Sequence, residues 1–103
     1  MSSTTDNQEH LYLVIYDIAD QRRWREIYRM MHGYGEWLQL SAFQCRLSRV
    51  RHAELVADLD RAIHHHQDHV VILDAGRASG VAARVISLGK RSFEPVTLDP
   101  TII

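Results

Sequence analysis

The hydrophobic pattern of the chain changes period several times, and each change marks an element. Leu11 to Ile15 are continuously apolar and β-favouring, which predicts a largely buried strand over about residues 10–17. Asp17 breaks that run at its exit, and Asp20 is a good helix N-cap. Behind it Trp24, Ile27, Tyr28 and Met31 recur at i, i+3, i+4 and i+7, one apolar face of a helix that Gly33 and Gly35 stop. Trp37 to Leu47 is again aromatic and aliphatic around Ser41, the length of two strands or one bent hairpin. Ser48 caps a second helix with Leu55, Val56, Leu59, Ala62 and Ile63 on its apolar face, ending in His64-His65-His66. A last strand runs from His69 to Leu73, and Asp74-Ala75-Gly76 turns out of it.

The order strand, helix, two strands, helix, strand predicts an α+β domain. Two right-handed strand–helix–strand units give a ferredoxin-like βαββαβ sandwich, an antiparallel sheet with both helices on one face. The polar residues 1–9 are expected to be a disordered tail, 10–91 the folded domain, and 92–103 an extension that docks on a partner subunit. The other sheet face is left open, and a second copy stacked face to face is the simplest cover for it.

Composition narrows the setting. With 103 residues and a single cysteine, one domain without disulfides is expected. Residues 1–10 are polar and no apolar run could span a bilayer, so the expected place is the cytoplasm, with no membrane partner. The net charge is −1, yet seven arginines face three acids between residues 20 and 51. Arginine outnumbers lysine eleven to one, which suits bidentate phosphate contacts, although a solvated surface accounts for that bias equally well. Arg22, Arg25 and Arg29 fall on one line of the first helix, opposite its apolar stripe.

A carboxylate at the mouth of a sheet, as Asp17 is placed, suits a hard metal ion; alone it could equally terminate the strand. The histidine run is a weaker signal. Consecutive helical residues point about 100° apart, so no more than two of His64, His65 and His66 could face one ion, and a polar helix end accounts for them.

The local sequences add a specific resemblance. Tyr16-Asp17-Ile18-Ala19-Asp20, the arginine-rich helix, Gly33-Tyr34-Gly35-Glu36-Trp37-Leu38-Gln39-Leu40-Ser41-Ala42-Phe43-Gln44-Cys45-Arg46-Leu47, Asp68-His69-Val70-Val71-Ile72-Leu73 and Ser87-Leu88-Gly89 together resemble the small CRISPR-associated adaptation proteins, the Cas-two endoribonucleases. The resemblance covers roughly residues 11–89.

It implies a face-to-face homodimer of ferredoxin-like subunits, with a C-terminal extra strand crossing to the partner's sheet. It implies that Asp17 of both subunits holds a divalent ion, Mg²⁺ or Mn²⁺, and serves as the catalytic carboxylate of an endonuclease acting on single-stranded RNA or double-stranded DNA. It further implies spacer acquisition with the CRISPR adaptation integrase (Cas-one), gripping a DNA protospacer; the alternative within the family is a non-catalytic scaffold. Arg22 and Arg23, with Arg25 and Arg29 of the same helix, would contact nucleic acid, and Tyr16, Ser41 and Phe43 would shape the site and the interface. The chain departs from the family pattern at Trp37, where members often carry an arginine; an exposed tryptophan there stacks on bases rather than pairing with phosphates.

Overall fold

In the computed structural model, residues 8–80, 86–89 and Glu94 are described. The elements are β1 (His10–Asp17), α1 (Gln21–Met31), β2 (Glu36–Gln39), β3 (Ala42–Leu47), α2 (Arg49–Ala62), β4 (His69–Arg77) and a short 3-10 turn (Ala78–Gly80). The expected βαββαβ order is therefore present. The four strands form one sheet in the order β2-β3-β1-β4, with every pairing antiparallel.

Both predicted caps are in place. The Asp20 side chain accepts from the Arg23 main-chain N–H at 2.9 Å, and Ser48 Oγ accepts from Arg51 N–H at 3.2 Å. Each satisfies one of the amide donors that a helix start leaves without an intrahelical acceptor.

Alternation along β1 sorts the two sheet faces. Tyr12, Val14 and Tyr16 are buried beneath the helices with Ile27, Met31, Phe43, Cys45, Leu55 and Leu59. Leu11, Leu13, Ile15 and Asp17 point the other way. Through the strand register they share that face with Ala42, Gln44 and Arg46 of β3 and with His69, Val71 and Leu73 of β4. Ile15, Val71 and Leu73 remain 48 %, 42 % and 52 % exposed, whereas Leu11 and Gln44, toward the opposite end, are covered. Gln44 Nε2 donates to the main-chain oxygen of Glu94 at 2.8 Å, so Glu94 lies over that covered part. The uncovered apolar surface is thus concentrated toward Asp17.

Three details differ from the sequence reading. The last strand does not turn out at Asp74 but continues to Arg77. The Asp74 carboxylate accepts from Gly76 N–H at 2.8 Å and from His10 at 2.9 Å, and the ladder with β1 absorbs a register shift there, with Gly76 at φ 95°. Glu9, assigned to the tail, belongs to the fold: its carboxylate accepts Arg46 Nε at 2.8 Å and its carbonyl accepts Ala78 N–H at 3.0 Å. Val56 is exposed rather than part of the apolar face of α2, which buries only Leu55 and Leu59 fully. The expected disorder of residues 1–7, the extra C-terminal strand and, apart from Glu94, the docking of residues 92–103 lie outside the described residues.

Candidate functional site

Asp17 is the last residue of β1, exposed on the open face, and its carboxylate makes no hydrogen bond or ion pair with any described residue. Its register neighbour on β4 is His69, also exposed. Two of the main-chain amides that follow are bound by other carboxylates. Ala19 N–H is bound at 2.9 Å by Asp68 and Arg23 N–H by Asp20.

Asp68 organises this end of the sheet, and sequence reasoning missed it. Its fully buried carboxylate accepts Arg23 Nε at 2.6 Å, Arg23 Nη2 at 3.0 Å, Ala19 N–H and, from the end of α2, His64 N–H at 2.8 Å. The Arg23 fork, opposed by burial and helped by the two amides, holds Asp68 far below the usual carboxylate range. The β1–α1 loop is thereby tied to the α2–β4 loop directly behind Asp17. In the sequence Asp68 only opens the segment Asp68-His69-Val70-Val71-Ile72-Leu73, and nothing local marks a role for its carboxylate.

The arginines divide. Arg23 is occupied by Asp68, with Gln67 Oε1 a third acceptor at 3.2 Å. A phosphate would have to compete with that ion pair. Arg22, Arg25 and Arg29 are exposed on the outer face of α1 and have no hydrogen-bond or ion-pair partner among the described residues.

Tyr16 and Phe43 lie on the helix side of the sheet, not on the face that carries Asp17. Their rings stack at 6.3 Å, Phe43 is fully buried, and Tyr28 and His32 meet its edge or face. The Tyr16 hydroxyl is buried without a partner among the described residues, and burial pushes its pKa up to about 12, so it stays neutral. Both side chains act here as core. Ser41 links the layers at the Asp17 end: its carbonyl accepts Tyr16 N–H at 3.0 Å and its Oγ accepts Trp24 Nε1 at 3.1 Å. Trp37 stands 41 % exposed on edge strand β2.

The histidine run is accounted for locally. His65 Nε2 meets Asp60 at 2.9 Å and His64 Nδ1 accepts His66 N–H at 3.3 Å. Among the described residues of one chain, no three His, Cys, Asp or Glu side chains gather as a metal site. Cys45 is fully buried and burial pushes its thiol up to about 12, leaving it unreactive. No helix among the described residues is long and apolar enough to cross a membrane.

The profile of the family described as CRISPR associated protein Cas2 matches residues 10–79, from the start of β1 to the 3-10 turn. The chain belongs to the Cas2 family. It is 50 % identical over 95 residues to a CRISPR-associated endoribonuclease Cas2 of Geobacter sulfurreducens, covering 92 % of this chain and 99 % of that one. It is 46 % identical over 103 residues, all of both chains, to a CRISPR-associated endoribonuclease Cas2 of Rhodospirillum rubrum. Its fold matches the crystal structure of Streptococcus pyogenes Cas2 with a TM-score of 0.68 at 24 % identity, over 77 % of this chain and 99 % of that one. A hypothetical protein from Thermus thermophilus matches with a TM-score of 0.63 at 26 % identity, over 87 % and 96 % of the two chains. This Cas2-family chain thus has a CRISPR-associated role, and Asp17 stands in the part of the domain that the family shares.

Proposed function

We propose that the protein acts in CRISPR spacer acquisition as a face-to-face homodimer, with a metal-dependent endonuclease centre built from the Asp17 carboxylates of both subunits. The observation that carries this reading is Asp17 itself, a carboxylate without a partner among the described residues, beside the uncovered apolar patch of Ile15, Val71 and Leu73. Burying that patch against a two-fold-related copy brings the two Asp17 ends toward one axis, because an isologous contact places like against like.

The donor set fits a hard divalent ion. One carboxylate per chain is a poor Mg²⁺ site, whereas two, completed by water and substrate phosphate, satisfy an octahedral oxygen shell. Bound there, Mg²⁺ or Mn²⁺ would polarise a phosphoryl oxygen and lower the pKa of a water that attacks phosphorus. The chain's own contribution is positional. Asp68 and Ser41 hold the loop and the hairpin beside Asp17, and Arg22, Arg25 and Arg29 present donors to a phosphate backbone without reading sequence. Single-stranded RNA and duplex DNA are both within this chemistry, and the adaptation integrase (Cas-one) is the protein partner.

The three outward arginines favour a second reading, a scaffold that grips DNA for the integrase and leaves Asp17 dispensable. Purified protein assayed on labelled single-stranded RNA and duplex DNA, with Mg²⁺, Mn²⁺ or EDTA, separates the two. Metal-dependent cleavage that disappears in Asp17→Ala, with the dimer intact, is the result expected. Binding without cleavage by either protein would sink the nuclease and leave the scaffold.

A further inference from the structure

Asp17 is not alone at its end of the open face. Its register partner on β4 is His69, and residues directly opposite each other on antiparallel strands project from the same face with Cβ atoms about 5 Å apart. Alternation along β4 fixes the side: Val70 and Ile72 pack against the core, whereas His69, Val71 and Leu73 face away from it. An imidazole and a carboxylate therefore stand side by side at the rim of the uncovered patch. Ile15 and Val71, the next opposed pair on that face, lie beside them.

His69 also differs from the other histidines of the chain. There are seven, and among the described residues six have a contact through the ring. His10 and His65 meet Asp74 and Asp60 at 2.9 Å, His32 and His52 lie against Phe43 and Tyr12, and the rings of His64 and His66 meet each other. The His69 ring makes no hydrogen bond, ion pair or ring contact with any described residue. It is a nitrogen donor held beside Asp17 and not consumed by the described packing.

We propose that His69 is a metal ligand of the Asp17 centre, and that it turns an all-oxygen site into a mixed one that takes a first-row transition ion in preference to Mg²⁺. The inference rests on the paired-carboxylate reading above and deepens it. Within one chain Asp17 and His69 supply only two donors, and no third joins them among the described residues. The two-fold contact that brings the Asp17 ends together brings His69 of each subunit with them, giving two carboxylates and two imidazoles. Mg²⁺ keeps to oxygen ligands and holds its waters, whereas imidazole nitrogen suits transition ions, with affinity rising from Mn²⁺ to Co²⁺ along the first-row series.

The test is metal binding by the full chain, stripped with EDTA and free of nucleic acid. Calorimetry with Mg²⁺, Mn²⁺ and Co²⁺ is expected to give affinities that rise in that order, with one ion to two chains. His69→Ala should lower the Mn²⁺ and Co²⁺ affinities at least ~10-fold, the smallest loss expected even from an outer-shell partner of a ligand, and leave Mg²⁺ binding unchanged. His69→Gln, which keeps a polar side chain on the edge strand, should do the same. Electron spin-echo spectroscopy of the Mn²⁺-loaded protein reads the ligand directly: the nitrogen modulation of a coordinated imidazole is expected in the wild type and absent from both variants. Mn²⁺ binding that is lost in Asp17→Ala but shows no nitrogen coupling, or His69 variants that bind Co²⁺ as tightly as the wild type, would overturn the His69 ligand alone and leave an all-oxygen centre. A wild-type protein that binds none of the three ions, or an Asp17→Ala protein that binds them undiminished, would overturn the paired-carboxylate centre and His69 with it.

Discussion

The carboxylate of Asp68 is fully buried against the guanidinium of Arg23, with Nε at 2.6 Å and Nη2 at 3.0 Å. The same carboxylate binds Ala19 N–H, two residues beyond Asp17, so one ion pair both joins two loops and sets the exit of β1. Asp68→Ala leaves a half-buried guanidinium and two amides without acceptors, and should cost about 2–3 kcal/mol by chemical denaturation. The pKa of Asp68 is lowered in the fold, so its contribution is present above the ordinary carboxylate range and is lost as pH falls through and below it. The wild-type denaturation midpoint should therefore drop on acidification more steeply than that of Asp68→Asn.

Asp17 should behave in the opposite way. Exposed and unpartnered among the described residues, it can be replaced by Ala within about 0.5 kcal/mol of wild-type stability, while metal-dependent cleavage falls at least ~100-fold. Mixed dimers are more informative. If one ion needs both carboxylates, refolding wild type and Asp17→Ala together in equal amounts should leave roughly a quarter of the activity, against about half for independent sites. Activity titrated against mutant fraction distinguishes the two curves.

The open face offers a direct test of the dimer. Ile15, Val71 and Leu73 are about half exposed in a single chain. The carboxylate introduced by Ile15→Glu or Leu73→Glu would stay solvated in a monomer but be buried unpaired in a face-to-face dimer. Sedimentation should report monomers for either variant, with the far-UV circular dichroism of each unchanged.

Gly35 is held by space rather than by dihedral freedom. A Cβ there would meet Gln44 O at 2.1 Å, Cys45 Sγ at 2.6 Å and Cys45 Cα at 2.8 Å, mostly backbone of the neighbouring strand β3. Gly35→Ala must push β2 away from β3 and should destabilise by about 3 kcal/mol or more. At Gly33 the nearest atom is Met30 O at 3.3 Å, so Gly33→Ala needs only a small adjustment and should cost far less. Thermal melts of the pair measure the contrast.

Tyr16→Phe removes a buried hydroxyl that has no hydrogen-bond partner among the described residues. Stability should be unchanged or raised by up to about 1 kcal/mol, because no bond is lost and a desolvated polar group is gone. Cleavage should not respond, as the side chain lies under the helices and not beside Asp17. A large loss of activity in a stable Tyr16→Phe protein would return that residue to the site.

The sequence alone carried the order of elements and both N-caps, because caps are local: Asp20 and Ser48 bond amides three residues away. The unbroken apolar run Leu11 to Ile15 read as a largely buried strand, and only the sheet, covered by helices on one side, left Ile15 half exposed on the other. The sequence also marked Asp17, since an acid ending an apolar strand is visible without coordinates. The continuation of β4 past Asp74 was not visible, because the carboxylate that reads as a turn signal is bound to His10, 64 residues away. Nor was the division of the arginines. Arg22 and Arg23 are neighbours of equal charge, and only the approach of Asp68, 45 residues on, makes one a strut and leaves the other to solvent. Local chemistry fixes which groups a segment can offer; which of them are consumed internally depends on what distant segments bring within hydrogen-bond reach, and that is settled only when the chain packs.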